Sequence, residues 1–126
     1  MPQKSTRKVS SDQEEFLAEY LGARTTPNSG ATWHTKGDLH DNYSVFEAKT
    51  SMTQKKSYTL KKEDLVTLER VRKLSQKQFG FFVFDYGNHV EEETYVTMRL
   101  KDFYELYRGF KDYMEEEPDY DDCRDY

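Results

Sequence analysis

The run FGFFVFDYG, residues 79–87, constrains the fold more than any other stretch of the chain. It is apolar without alternation over the length of a strand and then ends in a turn. Such a strand cannot leave one face in water, so it reads as a buried central strand of a sheet covered on both sides. Amphipathic helices supply the cover. Phe16, Leu17, Tyr20 and Leu21 at i, i+1, i+4, i+5 predict a helix over about 12–21, capped by Ser11 or Asp12 and ended by Gly22. KKEDLVTLERVRKL places Leu65, Leu68, Val71 and Leu74 on one helical stripe, and KDFYELYRGFKDYM does the same for Phe103, Leu106, Tyr107 and Phe110. RTTPNSGATWHTK is turn chemistry, with Pro27, Asn28 and Gly30 in a loop. A hairpin follows it, and TYVTMRL reads as a further strand. The order helix, hairpin, helix, strand, strand, helix implies an α/β fold, a mixed central β-sheet flanked by helices. One domain over 12–114 accounts for it, with a flexible basic arm at 1–11 and a disordered acidic tail at 115–126.

Charge narrows the partners once its position is considered. The formal net charge is −5, but the tail from Glu115 holds seven acids against Arg124 alone, so the rest of the chain is about neutral. Between Lys49 and Gln78 nine Lys or Arg stand against Glu63, Asp64 and Glu69. This basic band is a footprint suited to phosphate, although a lysine-rich helix also serves as a solvated face. Lys4, Arg7 and Lys8 add charge at the N-terminus. No apolar run approaches the ~18 residues of a membrane span. The polar N-terminus has no signal-peptide core, so an intracellular, cytoplasmic protein is expected. Cys123 is the only cysteine, which excludes an internal disulfide and a cysteine-based zinc site. No phosphate loop or dinucleotide fingerprint is present.

The chemistry concentrates in GDLHDNYSVFEAKTS, residues 37–51. With Asp41 and Asn42 as the two turn residues, His40 pairs with Tyr43 and Asp38 with Val45. Alternation then sends Leu39, Phe46 and Ala48 into the core and leaves Val45, Glu47 and Lys49 on the opposite face. Asp38 and Glu47 become diagonal neighbours, with roughly 7–8 Å between backbones. Charges at alternate positions also suit a solvated strand. Against that reading, Glu47-Ala48-Lys49 is the only Asp/Glu-x-Lys tripeptide in a chain with 24 acids. Two hard carboxylates without thiolates or clustered imidazoles favour Mg²⁺, or Mn²⁺ in its place. A lysine beside them suits water orientation or charge neutralisation in phosphodiester hydrolysis.

Asp38 followed by Glu47-Ala48-Lys49 resembles the PD-(D/E)xK nuclease signature, with Gly37 where that family often has Pro. EEFLAEYLGARTTPNSGA is similar to the opening of archaeal-type Holliday junction resolvases, and KKSYTLKKEDLVTLERVRK to their segment after the catalytic lysine. The resemblance covers about residues 14–84. It implies a restriction-endonuclease-like core and a Mg²⁺-dependent endonuclease acting on DNA, most specifically on a four-way junction. It further implies Asp38 and Glu47 as metal ligands, with the Ala48 carbonyl and Glu14 completing the set, Lys49 as the catalytic lysine, and Ser29 near the scissile phosphate. Glu15 is the rival of Glu14. Arg24 matches the family's arginine, and Lys55, Lys56, Lys61 and Lys62 are the candidate DNA contacts of the basic band. Two coordinated nicks require two sites, so a homodimer is expected, with the final aromatic helix as candidate interface. A phage or archaeal setting suits such a protein. The interval from Asp38 to Glu47 and the loop from Arg24 to Gly37 are both shorter than is usual in the resolvases. The alternatives are a repair or restriction-type nuclease acting on ordinary duplex and, in another class, a non-catalytic DNA-binding protein or DNA mimic.

Overall fold

The computed structural model describes residues 5–26 and 37–116. Helix α1 (Thr6–Leu21) is followed by the short strands β1 (Arg24–Thr25) and β2 (Leu39–His40), then β3 (Ser44–Lys49). Helix α2 (Lys62–Leu74) leads to β4 (Phe79–Asp85), and a 3₁₀ turn (Glu91–Glu93) precedes β5 (Thr94–Thr97) and α3 (Leu100–Glu116). The five strands form one sheet in the order β1-β2-β3-β4-β5. All neighbours are antiparallel except β3 and β4, which run parallel because α2 carries the chain back between them. The architecture is therefore α/β with a mixed sheet, and β4 is an interior strand.

Two layers of side chains cover this strand pair. Phe46, Ala48 and Val83 meet Leu39 and Leu17 of α1 on one face. Val45 and Phe82 meet Leu68 and Val71 of α2 on the other. Burying one such Phe, Leu or Val contributes about 1.5–3 kcal/mol, so the sheet is held from both sides. The face of β3 opposite Phe46 is thus a second core: Val45 is only 1% exposed, and Glu47 lies on that same covered face.

Several expectations are corrected. Helix α1 begins at Thr6, not near Asp12: Ser5 caps it by accepting from the Lys8 N–H at 3.1 Å, and Val9 is buried. Residues 6–11 therefore belong to the helix and not to a flexible arm. Arg24 and Thr25, read as loop, pair with His40 and Leu39 to start the sheet. The hairpin register is Leu39 with Phe46 and His40 with Val45, two residues away from that expected. The cause is Asp41, whose Oδ1 accepts from the N–H groups of Tyr43 and Ser44 at 2.9 and 2.8 Å and moves the turn onto Asn42 and Tyr43. A shift of two preserves which face each side chain takes. Helix α3 continues to Glu116, so Glu115 and Glu116 are helical, while the remainder of the acidic tail lies outside the described residues. No helix among the described residues is long and apolar enough to cross a membrane.

Candidate active site

Asp38 stands one residue before β2, and its neighbour explains how it approaches β3. A Cβ at Gly37 would lie 2.8 Å from the Phe46 carbonyl oxygen, so a side chain there, proline's included, would push β2 and β3 apart. With glycine the strands close: the Asp38 N–H donates to the Phe46 carbonyl at 2.9 Å. The Asp38 Oδ2 in turn accepts from the Ala48 N–H at 2.9 Å. Backbone and side chain of Asp38 are thereby clipped to either side of Glu47, and the observed register, carried one residue further, brings Asp38 level with Glu47.

Glu47 is half-buried above the α2 core, and Glu14 arrives from α1, also half-buried. Glu15, one position on, is exposed. The three acids shift one another's protonation. Burial, then the Asp38 charge, pushes the Glu14 carboxyl up to about 7. Burial and then Asp38 do the same to Glu47, also to about 7, with Glu14 and Asp64 adding to the rise and the Lys49 ammonium opposing it. Asp38 is raised by burial, against the pull of the Ala48 N–H and Lys49. The Ala48 N–H favours the charged form of Asp38, and that charge adds to the burial that raises Glu47. Lys49 is exposed at the end of β3.

A second layer of polar groups fixes the end of β3. Gln13, buried on α1 beside Glu14, donates from Nε2 to the Lys49 carbonyl at 2.7 Å and to Asp85 Oδ2 at 3.3 Å. Both partners are acceptors, so the amide nitrogen must face them, and Oε1 is left buried with no partner among the described residues. Asp85, 0% exposed at the end of β4, also accepts from the Thr50 hydroxyl and from the Gly87 N–H at 2.9 Å, and pairs with His89 Nδ1 at 2.9 Å. Gly87 has φ 104, and a Cβ there would lie 2.6 Å from the Thr53 carbonyl oxygen. The turn after β4 thus packs on the segment that follows Lys49, joined further by the Lys55 N–H to the Tyr86 carbonyl at 2.8 Å.

The structure therefore brings together Glu14, Asp38, Glu47, Ala48 and Lys49 from α1, the approach to β2, and β3. Arg24 is exposed on the edge strand β1, Lys55 and Lys56 are exposed in the segment after β3, and Lys61 and Lys62 are exposed at the start of α2. Ser29 lies outside the described residues. Sequence reasoning missed Gln13, Asp64, Thr50, Asp85 and His89. Gln13 carried a usable signal, since it precedes Glu14 on the same helix, but its partners lie 36 and 72 residues away.

Among the described residues no group of three or more His, Cys, Asp or Glu side chains is gathered so as to hold a metal ion. Mg²⁺ needs less: one or two carboxylates, with several waters retained. An all-oxygen set of acids driven toward protonation by burial first and by neighbouring negative charge second fits such a cation, because the ion would replace the protons that burial now favours. Asp38 and Glu47 would hold it, with the Ala48 carbonyl beside them. No family model, curated protein or solved structure matches the chain.

Proposed function

We propose that this chain is a Mg²⁺-dependent DNA endonuclease with a restriction-endonuclease-like core of the PD-(D/E)xK type, acting on branched DNA in the manner of a Holliday junction resolvase. The observation that carries the reading is the convergence of Glu14, Asp38 and Glu47 beside Lys49, with two of the acids raised to about 7. Perturbed carboxylates of this kind mark sites that handle protons or cations. Against a solvated strand, the face bearing Glu47 also carries Val45, which is buried against α2.

A bound Mg²⁺ supplies the positive charge and the activation of water that hydrolysis requires. The chain's own residues set the geometry. Asp38, fixed by the Ala48 N–H, and Glu47 would supply the carboxylate oxygens. Glu14, raised by burial and by the Asp38 charge, would hold a proton or contact a metal-bound water. Lys49, its backbone pinned by Gln13, would offer its ammonium to the phosphate oxygen that gains charge during attack. Arg24, Lys55, Lys56, Lys61 and Lys62 offer cations to the DNA backbone, and binding should weaken steeply with salt.

The test is cleavage of an end-labelled four-way junction beside a linear duplex and a single strand of the same sequence, with Mg²⁺ or with EDTA. Paired, metal-dependent nicks near the branch point of the junction alone support the resolvase. Equal cutting of all three keeps the nuclease and discards junction selectivity. No cutting with Mg²⁺ or Mn²⁺ refutes the proposal.

A further inference from the structure

A row of side chains crosses the sheet from Lys49 and ends in an exposed ring. Lys49 pairs with Phe84 across β3 and β4, and Phe84 with Tyr95 across β4 and β5, so all three share the face that also carries Glu47. The rings of Phe84 and Tyr95 lie 6.0 Å apart and 26° from parallel. Tyr58, from the segment before α2, stacks on Phe84 at 4.7 Å, and Tyr86 meets Phe84 and Tyr95 nearly at right angles, at 5.8 and 6.2 Å. Tyr58, Phe84 and Tyr86 are half-buried, whereas Tyr95, on the edge strand β5, is 52% exposed. That last ring is held in place by its neighbours and open to solvent.

We propose that this row is a stacking platform for an unpaired nucleobase of the DNA strand, with Tyr95 as the ring that receives the base and the adjoining lysines as contacts to its phosphates. The inference rests on the nuclease reading and names what the site selects beside the scissile phosphate. Charge favours this occupant over an apolar one. Lys55 and Lys56 belong to the segment that carries Tyr58, and the Lys55 N–H donates to the Tyr86 carbonyl at 2.8 Å, which fixes that segment against the rings. Both side chains are exposed, as are those of Lys61 and Lys62, and none of the four makes an ion pair among the described residues. Of the acids that precede β5, Glu91 is engaged by the Tyr20 hydroxyl of α1 and Glu93 by the Asn88 amide at 3.4 Å. Asp64 acts on Tyr58, at the end of the group away from Tyr95. Stacking then selects an unpaired base over a paired one. In a duplex both faces of a base are already covered, whereas an unpaired base offers a free face that an aromatic ring takes whatever its sequence. Free cations beside an exposed ring are the combination that holds single strands. A cut next to an unpaired base, as at a branch point or a bulge, is the expected preference.

The test is binding by the full chain in EDTA, where no cutting is needed, read by fluorescence anisotropy of a labelled oligothymidylate and of a fully paired duplex of the same length. Tyr95→Ala should weaken oligothymidylate binding about tenfold and duplex binding less than about twofold, with an unchanged circular dichroism spectrum. Tyr95→Phe keeps the ring and should bind the strand as the wild type does. With 5-iododeoxyuridine in place of one thymidine, irradiation should cross-link the strand to Tyr95, as located by mass spectrometry. A wild type that does not bind oligothymidylate, a Tyr95→Ala variant that binds it normally or loses both DNAs equally, or cross-links confined to residues outside the aromatic group would each overturn the platform. The two readings fail separately. A chain that cuts no DNA yet binds the strand through Tyr95 would refute the nuclease and support the platform, and one that cuts while Tyr95→Ala binds the strand normally would do the reverse.

Discussion

The two ends of the fold break the ordinary distribution of polar and apolar groups in opposite directions. Around β3 the molecule withdraws acids from water, so that Glu14 and Glu47 hold protons up to about 7. Along α3 it keeps charge against the body and turns Phe, Tyr and Leu outward. Neither arrangement is what stability alone selects, since buried like charges repel and exposed aromatics gain nothing from water. Departures of this kind concentrate where a chain meets something else. On the proposed reading the first takes a cation; the second leaves an apolar helix face in solvent.

The comparison breaks hardest at Glu47. Replacing it by Gln should lower Mg²⁺-dependent cleavage by about 1000-fold or more while DNA binding is retained, measured by single-turnover cutting and by filter retention. A variant that cuts normally would remove Glu47 from the site. Next in size is Asp85→Ala, which leaves Gln13, Thr50 and His89 without their shared acceptor. It should cost about 3 kcal/mol, a factor of about 150 in the folding equilibrium, by urea denaturation. Lys49→Ala should slow cleavage about 100-fold with little change in melting temperature, because its side chain is exposed.

Acidity gives a subtler contrast. Glu47 has a folded pKa near 7 against an ordinary 4.5, so the folded state holds more protons than the unfolded one between those values. Stability from this group is fully present below about pH 4.5 and is lost as pH rises toward 7; Glu14 acts in the same sense. Glu69, lowered by Arg72, acts oppositely at lower pH. The stability of Glu47→Gln relative to wild type should therefore grow between pH 4.5 and 8 in metal-free buffer, and a constant difference would contradict the buried cluster. Smallest of all is the effect of Phe110→Glu on the fold of a single chain, expected within about 0.5 kcal/mol, because the residue it replaces is already in solvent.

Legibility in the sequence followed the range of the forces involved. The β4 run, the α2 stripe and the alternation in VFEAKT are local patterns, and each element appears where its pattern lies. The face shared by Glu47, Lys49 and Val45 was also readable, and it survived the two-residue register shift because the period of a strand is two. The shift itself depended on which turn residue Asp41 would become, a choice between neighbouring polar residues that propensity does not resolve. The start of α1 was hidden because Thr6 to Ser11 offers only Val9 as an apolar marker. Asp85 was invisible for a different reason, and the place of Gln13 beside Glu14 did not disclose its partners. Their meeting requires α1, β3 and β4 to be stacked first, and nothing in their own flanks records that. The amphipathicity of α3 was plain, but a helical stripe of Phe and Tyr reads the same whether it faces a core or a partner.

The central claim is that the β3 cluster is built to take a divalent cation, and the Glu47 carboxyl reports on it directly. Its titration by carbon-detected NMR, with and without Mg²⁺, should show a midpoint near 7 in metal-free buffer that falls below the ordinary carboxylate range when the ion is added. A midpoint near 4.5 that Mg²⁺ leaves in place would mean that the acids neither crowd one another nor bind the ion, and the account of the site would fail.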